Sequence, residues 1–158
     1  MSTSLEPKPV RASRISLAAL MQPEHANNLG DVHGGWIMKL ADEAGALACM
    51  RHAQRRVVTV AIDSMVFRNP IMIGDLVLLT AEVTYTGRTS MEAEVLVQSE
   101  NPISGVRIET NKAYLVYVAL GEDGKPIPVP PVVAETEEEE RKLEEGRERQ
   151  ARRLASRK

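Results

Sequence analysis

Asn27-Asn28-Leu29-Gly30-Asp31-Val32-His33-Gly34-Gly35-Trp36-Ile37-Met38-Lys39-Leu40-Ala41-Asp42-Glu43-Ala44-Gly45 opens a stretch that continues through an Ala-rich run to Arg51. It reads as a polar, glycine-bearing loop feeding one long apolar helix. Gly34 and Gly35 fall where the helix starts. A helix start leaves backbone N–H groups unpaired and carries the positive end of the dipole. Glycine there lets a carbonyl approach the bare amides. Along the helix Ile37, Leu40, Ala41, Ala44 and Ala48 recur at three and four residues. Met38, Asp42, Gly45 and Cys49 form an adjacent stripe, and Lys39 with Glu43 a polar one. A helix apolar around most of its circumference is predicted to be largely buried, and its small residues allow close contact with a sheet.

Beyond Arg55-Arg56 the period becomes strand-like. The run 57–67 is rich in β-branched residues, with Val58, Val60 and Ile62 on one face. Asn69-Pro70 and Gly74-Asp75 punctuate it. The runs 76–86 and 89–99 read as strands joined by a tight turn at Gly87-Arg88, and 106–120 as the last long strand. Before the loop, 14–21 alternates weakly and is a candidate first strand ended by Pro23. Short connections predict antiparallel neighbours, and a helix on one face of such a sheet is α+β. Open edges predict a dimer that continues the sheet. Residues 1–11 read as a flexible arm, 12–125 as the domain, and 126–158 as a proline-stiffened linker with a charged helical tail. That tail reads as a solvated extension or as a brace between subunits.

The 158 residues suffice for one domain with a real core. The net charge of −2 argues against a nucleic-acid partner. A single cysteine, Cys49, excludes a disulfide framework and reads as a small buried apolar residue. The sequence offers no membrane-length apolar run and no signal-peptide core, which points to a cytoplasmic location. It has no nucleophile elbow, P-loop, HExxH or dinucleotide fingerprint.

Asp42 is the residue that asks for an explanation, because its stripe neighbours carry no charge and a half-buried carboxylate needs a reason. Amides able to stabilise an oxyanion, with a carboxylate on the same helix, suit acyl chemistry. The bland alternative is a solvated helix aspartate partly paired with Lys39. Glu43 reads as a surface partner of Lys39. Asn27 and Asn28 suit a turn or a cap. His33 is either a base or a structural residue beside the helix start, and His25 and His52 have no partners at recognisable spacing.

The pattern Asn27-x-x-Gly30-x-Val32-His33-Gly34-Gly35, followed by Met38-Lys39-x-x-Asp42-Glu43-Ala44-Gly45, resembles hotdog-fold acyl-CoA thioesterases of the cytosolic acyl-CoA hydrolase group. The likeness extends through Thr59-Val60-Ala61, the Gly74-Asp75 and Tyr85-Thr86-Gly87 turns, Ser99-Glu100-Asn101, Asn111-Lys112-Ala113 and Val129-Pro130-Pro131-Val132. The resemblance implies an α+β hotdog fold, an antiparallel sheet wrapped around one central helix, and hydrolysis of acyl-CoA to fatty acid and CoA. It implies a site at a dimer interface, built from an Asn of one subunit and an Asp of another. By motif these are Asn27, with Asn28 one register away, and Asp42. Both stand in this chain, so a homodimer, or a homohexamer made as a trimer of dimers, could build equivalent sites. Gly34 or Gly35 N–H would polarise the thioester carbonyl. Asp42 would act as general base for water or attack directly. No metal or cofactor is implied. Thr59 is placed where the pantetheine arm could run, and Arg88, then Arg68, are candidates for the CoA phosphates. Two rivals are a non-catalytic acyl-CoA sensor and a hydroxyacyl-thioester dehydratase using His33 as base.

Overall fold

The computed structural model describes residues 5–157. Its elements are β1 (Lys8–Pro9), β2 (Ile15–Leu20), α1 (Gly34–Ala53), β3 (Arg56–Phe67), β4 (Leu76–Thr86), β5 (Ser90–Glu100), β6 (Arg107–Leu120), β7 (Val132–Val133) and α2 (Glu137–Ser156). Strands β2 to β6 form one antiparallel sheet in the order β2-β4-β5-β6-β3, and α1 packs against all five. This is the α+β arrangement expected from the sequence. Ile37, Ala41, Ala44, Ala48 and Cys49 of α1 meet Val77, Leu79, Val95, Val97 and Leu115 in a single core. Helix α1 starts where the glycines predict: His33 caps it, and Gln54 ends it in the left-handed region at φ 56°.

One expectation about neighbours is corrected. Strands β3 and β4 are consecutive but do not pair; they lie three strand positions apart. The eight residues between them reach at most ~27 Å, while three strand spacings come to ~14 Å, so a short connection crosses over without strain. Strand β3 is left at an edge. Its pairing with β6 shifts register twice, between Thr59 and Ala61 and between Ile62 and Ser64. Val58, Val60, Ile62, Val66 and Phe67 are exposed there, as are Met38, Leu47 and Met50 of α1.

The N-terminal arm is not loose throughout. Residues 1–4 lie outside the described residues, but Lys8–Pro9 pairs in parallel with Val132–Val133, and Val10 is buried. Lys8 Nζ donates to His52 O at 2.7 Å, and the buried His52 ring bonds Pro130 O at 2.7 Å. His52, unpartnered in the sequence reading, thus pins both flanking segments to the end of α1.

The charged tail is a packed element. Thr136 caps α2, accepting from Glu139 N at 3.1 Å, and four glutamates fill its first turn, where the dipole favours them. The helix lies on the outer face of the sheet. Glu92 is fully buried there and accepts two bonds from Arg149, at 2.7 and 2.8 Å, and one from Thr84 at 2.9 Å. Lys142 binds Glu94 at 3.0 Å and Glu82 at 3.4 Å, and Arg153 reaches Asp63 of β3 at 3.3 Å. Gly146 permits this approach: a Cβ there would stand 2.6 Å from Tyr85 Cβ. A buried carboxylate demands a paired, hydrogen-bonded cation, which Arg149 supplies.

Candidate active site

Asp42 sits two turns into α1, half-buried at the border between core and exposed faces. Two hydroxyls converge on one of its oxygens. Thr59 Oγ1, from the edge strand β3, donates to Oδ1 at 2.8 Å. Tyr117 OH, from β6 inside the core, stands 2.9 Å from the same Oδ1 and 2.9 Å from the Asp42 backbone O. A phenol has one proton, and the charged carboxylate is the stronger acceptor. Among the described residues nothing donates to Oδ2. Gly45 makes the convergence possible: a Cβ on it would lie 2.5 Å from the phenolic oxygen. Burial, and then the Asp42 charge, push the Tyr117 phenol well above its ordinary range, so it stays a donor at working pH.

The loop before α1 builds a second cluster. Asn27 Oδ1 accepts from Leu29 N at 2.9 Å and Asp31 N at 3.2 Å, closing the turn in which Gly30 takes φ 91°. Asn28, the adjacent alternative, is exposed. A cavity of about 220 Å³ is lined by Asn27, Asp31, Gly34, Phe67, Arg68 and Ile71, among others. Gly34 N–H faces no partner among the described residues. Gly35 differs: its N–H donates to His33 Nδ1 at 2.8 Å, so it is not a free oxyanion donor. His33 is accordingly a helix cap, which weakens its candidacy as a base. Arg68 lines the cavity and pairs with Glu109 at 3.5 Å. Arg88 sits in the β4–β5 hairpin, its carbonyl accepting from Val129 N, and lines neither cluster.

One chain therefore brings together Asp42, Thr59 and Tyr117, and separately Asn27, Gly34 and Arg68. Thr59, expected along a substrate arm, is bonded to the carboxylate itself. Tyr117 was not singled out by the sequence. The available signal was Gly45, a mid-helix glycine three residues after a carboxylate, which marks a close approach by something bulky.

Residues 29–106 match the model of the thioesterase superfamily. A crystal structure of an apo hexameric acyl-CoA thioesterase superposes with a TM-score of 0.91 at 41% identity, covering 96% of this chain and 97% of that one. The chain belongs to the thioesterase superfamily. Its architecture is the hotdog thioesterase fold, with α2 added at the C-terminus. The acyl-CoA hydrolase of Staphylococcus aureus, solved with butyryl coenzyme A, coenzyme A and coenzyme A disulfide, is 33% identical with a TM-score of 0.87, covering 95% of this chain and 92% of that one. That enzyme was also solved as alanine variants of an Asp, an Asn and a Thr. The rat cytosolic acyl coenzyme A thioester hydrolase is 38% identical over 91% of this chain. This chain spans only 38% of that relative's length. No helix among the described residues is long and apolar enough to cross a membrane.

Proposed function

We propose that the protein is an acyl-CoA thioesterase, hydrolysing acyl-CoA to a fatty acid and free CoA. The observation that carries this reading is Asp42 itself, a half-buried carboxylate with one oxygen held by two hydroxyls and the other bonded to nothing among the described residues. The S. aureus variants add support. The Asn, Asp and Thr replaced there are 15 and 17 positions apart, the same spacings as Asn27, Asp42 and Thr59. Oδ2 takes a proton from water as the water oxygen attacks the thioester carbonyl carbon. Gly34 N–H, at the positive end of the α1 dipole, stabilises the oxyanion. The C–S bond then breaks, and Asp42 returns its proton to the departing thiolate.

Asn27 and Asp42 belong to separate clusters within a chain, so the complete site takes Asn27 from one subunit and Asp42 from another. The exposed apolar edge of β3 and face of α1 supply the interface, and a hexamer built as three dimers is the proposed assembly, in line with the hexameric relative. Arg68, in the Asn27 cavity, is better placed for a CoA phosphate than Arg88. The proposed location is the cytoplasm, as the name of the rat relative has it. Release of free thiol from a panel of acyl-CoAs of graded chain length tests the activity. A protein that binds acyl-CoA but releases none would be a sensor instead.

A further inference from the structure

We infer that Tyr117 is a positioning residue for Asp42: with Thr59 it fixes Oδ1 and leaves Oδ2 as the oxygen that handles the proton. The inference rests on the hydrolysis proposed above, but its own geometry is independent of substrate. Tyr117 is fully buried, and its hydroxyl is 2.9 Å from Oδ1. Thr59 is exposed on β3 and reaches the same oxygen at 2.8 Å. One donor belongs to a buried residue and the other to an exposed one on the edge strand. A carboxylate held at one oxygen by two donors cannot rotate to exchange its oxygens without losing both bonds. The oxygen left without a donor among the described residues is Oδ2.

The surroundings leave this task to the hydroxyls. On α1, Lys39 and Glu43 pair with each other at 2.5 Å. Cys49, on the same stripe, is fully buried, and burial pushes its thiol up so that it stays neutral. On β3, Asp63 is engaged by Arg149 and Arg153 of α2, and the Arg56 guanidinium donates to Gly121 O at 3.2 Å. On β6 the group facing Asp42 is Tyr117 itself.

Tyr117→Phe keeps the ring and removes the donor. Thermal unfolding establishes that the variant folds. Its kcat should fall about tenfold with KM little changed, since the bond supports the proton acceptor rather than substrate binding. Thr59→Val should lower kcat in the same way. The carboxyl-carbon NMR signal of Asp42, assigned with Asp42→Asn and read at one fixed pH, should move in Tyr117→Phe and reports the lost bond without turnover. An unmoved carboxyl signal overturns the inference, as does a variant that loses stability or KM while its kcat stays in place. If the wild type releases no thiol from any acyl-CoA, the hydrolase reading fails. The carboxyl signal then still decides whether Tyr117 holds Asp42.

Discussion

At the residue scale, the structure separates what a carboxylate does from what holds it. Asp42→Asn keeps the volume and can keep both bonds at Oδ1, so the fold should survive. Losing the proposed base should cost about 10²-fold or more in turnover, read by thiol release alongside an unchanged unfolding midpoint. Gly45→Ala attacks the support instead. Its Cβ would meet the Tyr117 oxygen at 2.5 Å, and an overpacked core contact costs about 1–3 kcal/mol. Both turnover and thermal midpoint should drop, which distinguishes it from Asp42→Asn. Asp42 was legible in the sequence because a charge on an apolar stripe is conspicuous. Tyr117 was not, because its meeting with Asp42 depends on how β6 lies under α1, and no local spacing encodes that. His33 was legible only as a choice between base and structural residue, and the cap geometry at Gly35 decides for structure.

At the scale of elements, the helix and the long strands were read nearly to the residue, since each keeps one hydrophobic period along its length. The sheet order was not legible. Local alternation says that β3 and β4 are strands, but their separation comes from the sheet curling around α1. The tail was misjudged for a related reason. Apart from Leu143 and the close approach at Gly146, its contacts with the sheet are largely ionic, so it has no broad apolar stripe to announce burial. Burial opposes the charge on Glu94, yet Lys142 and its other donors hold its carboxyl below the usual range. Lys142, desolvated but bound by Glu94 and Glu82, is held above its usual range. The Glu94 contribution is present above its unfolded value and fades as pH falls through the lowered folded one. The Lys142 contribution is present below its unfolded value and fades as pH rises through the raised one. The difference in thermal midpoint between the full chain and one truncated after residue 134 should be greatest between about pH 5 and pH 10 and shrink on either side. Arg149→Met strands Glu92, which would cost about 3 kcal/mol or more if α2 stayed docked. The helix can lift instead and admit water to Glu92. The variant should therefore match the truncated chain in urea unfolding, with α2 newly open to protease.

At the scale of the whole molecule, β3 and α1 present an apolar surface that a lone chain leaves wet. Val58→Lys with Ile62→Lys places two cations on the strand edge. The assembly should fall to smaller species by sedimentation, with activity lost in step, because charged edges resist pairing. Complementation tests the shared site directly. On the proposed site, Asp42→Asn and Asn27→Ala subunits should each be inactive, but a mixed dimer would carry both lesions in one site and neither in the other. Random exchange should restore up to about a quarter of native activity, since about half the dimers are mixed and each keeps one intact site of two. The position of β3 also sets a schedule for the growing chain. Its only strand partner among the described residues, β6, begins about 40 residues after β3 ends. At ~5–20 residues per second, the ribosome needs roughly two to eight seconds to deliver that partner. For that interval the apolar strand has nothing to join, and its two register shifts make it a poor template for a stranger's strand.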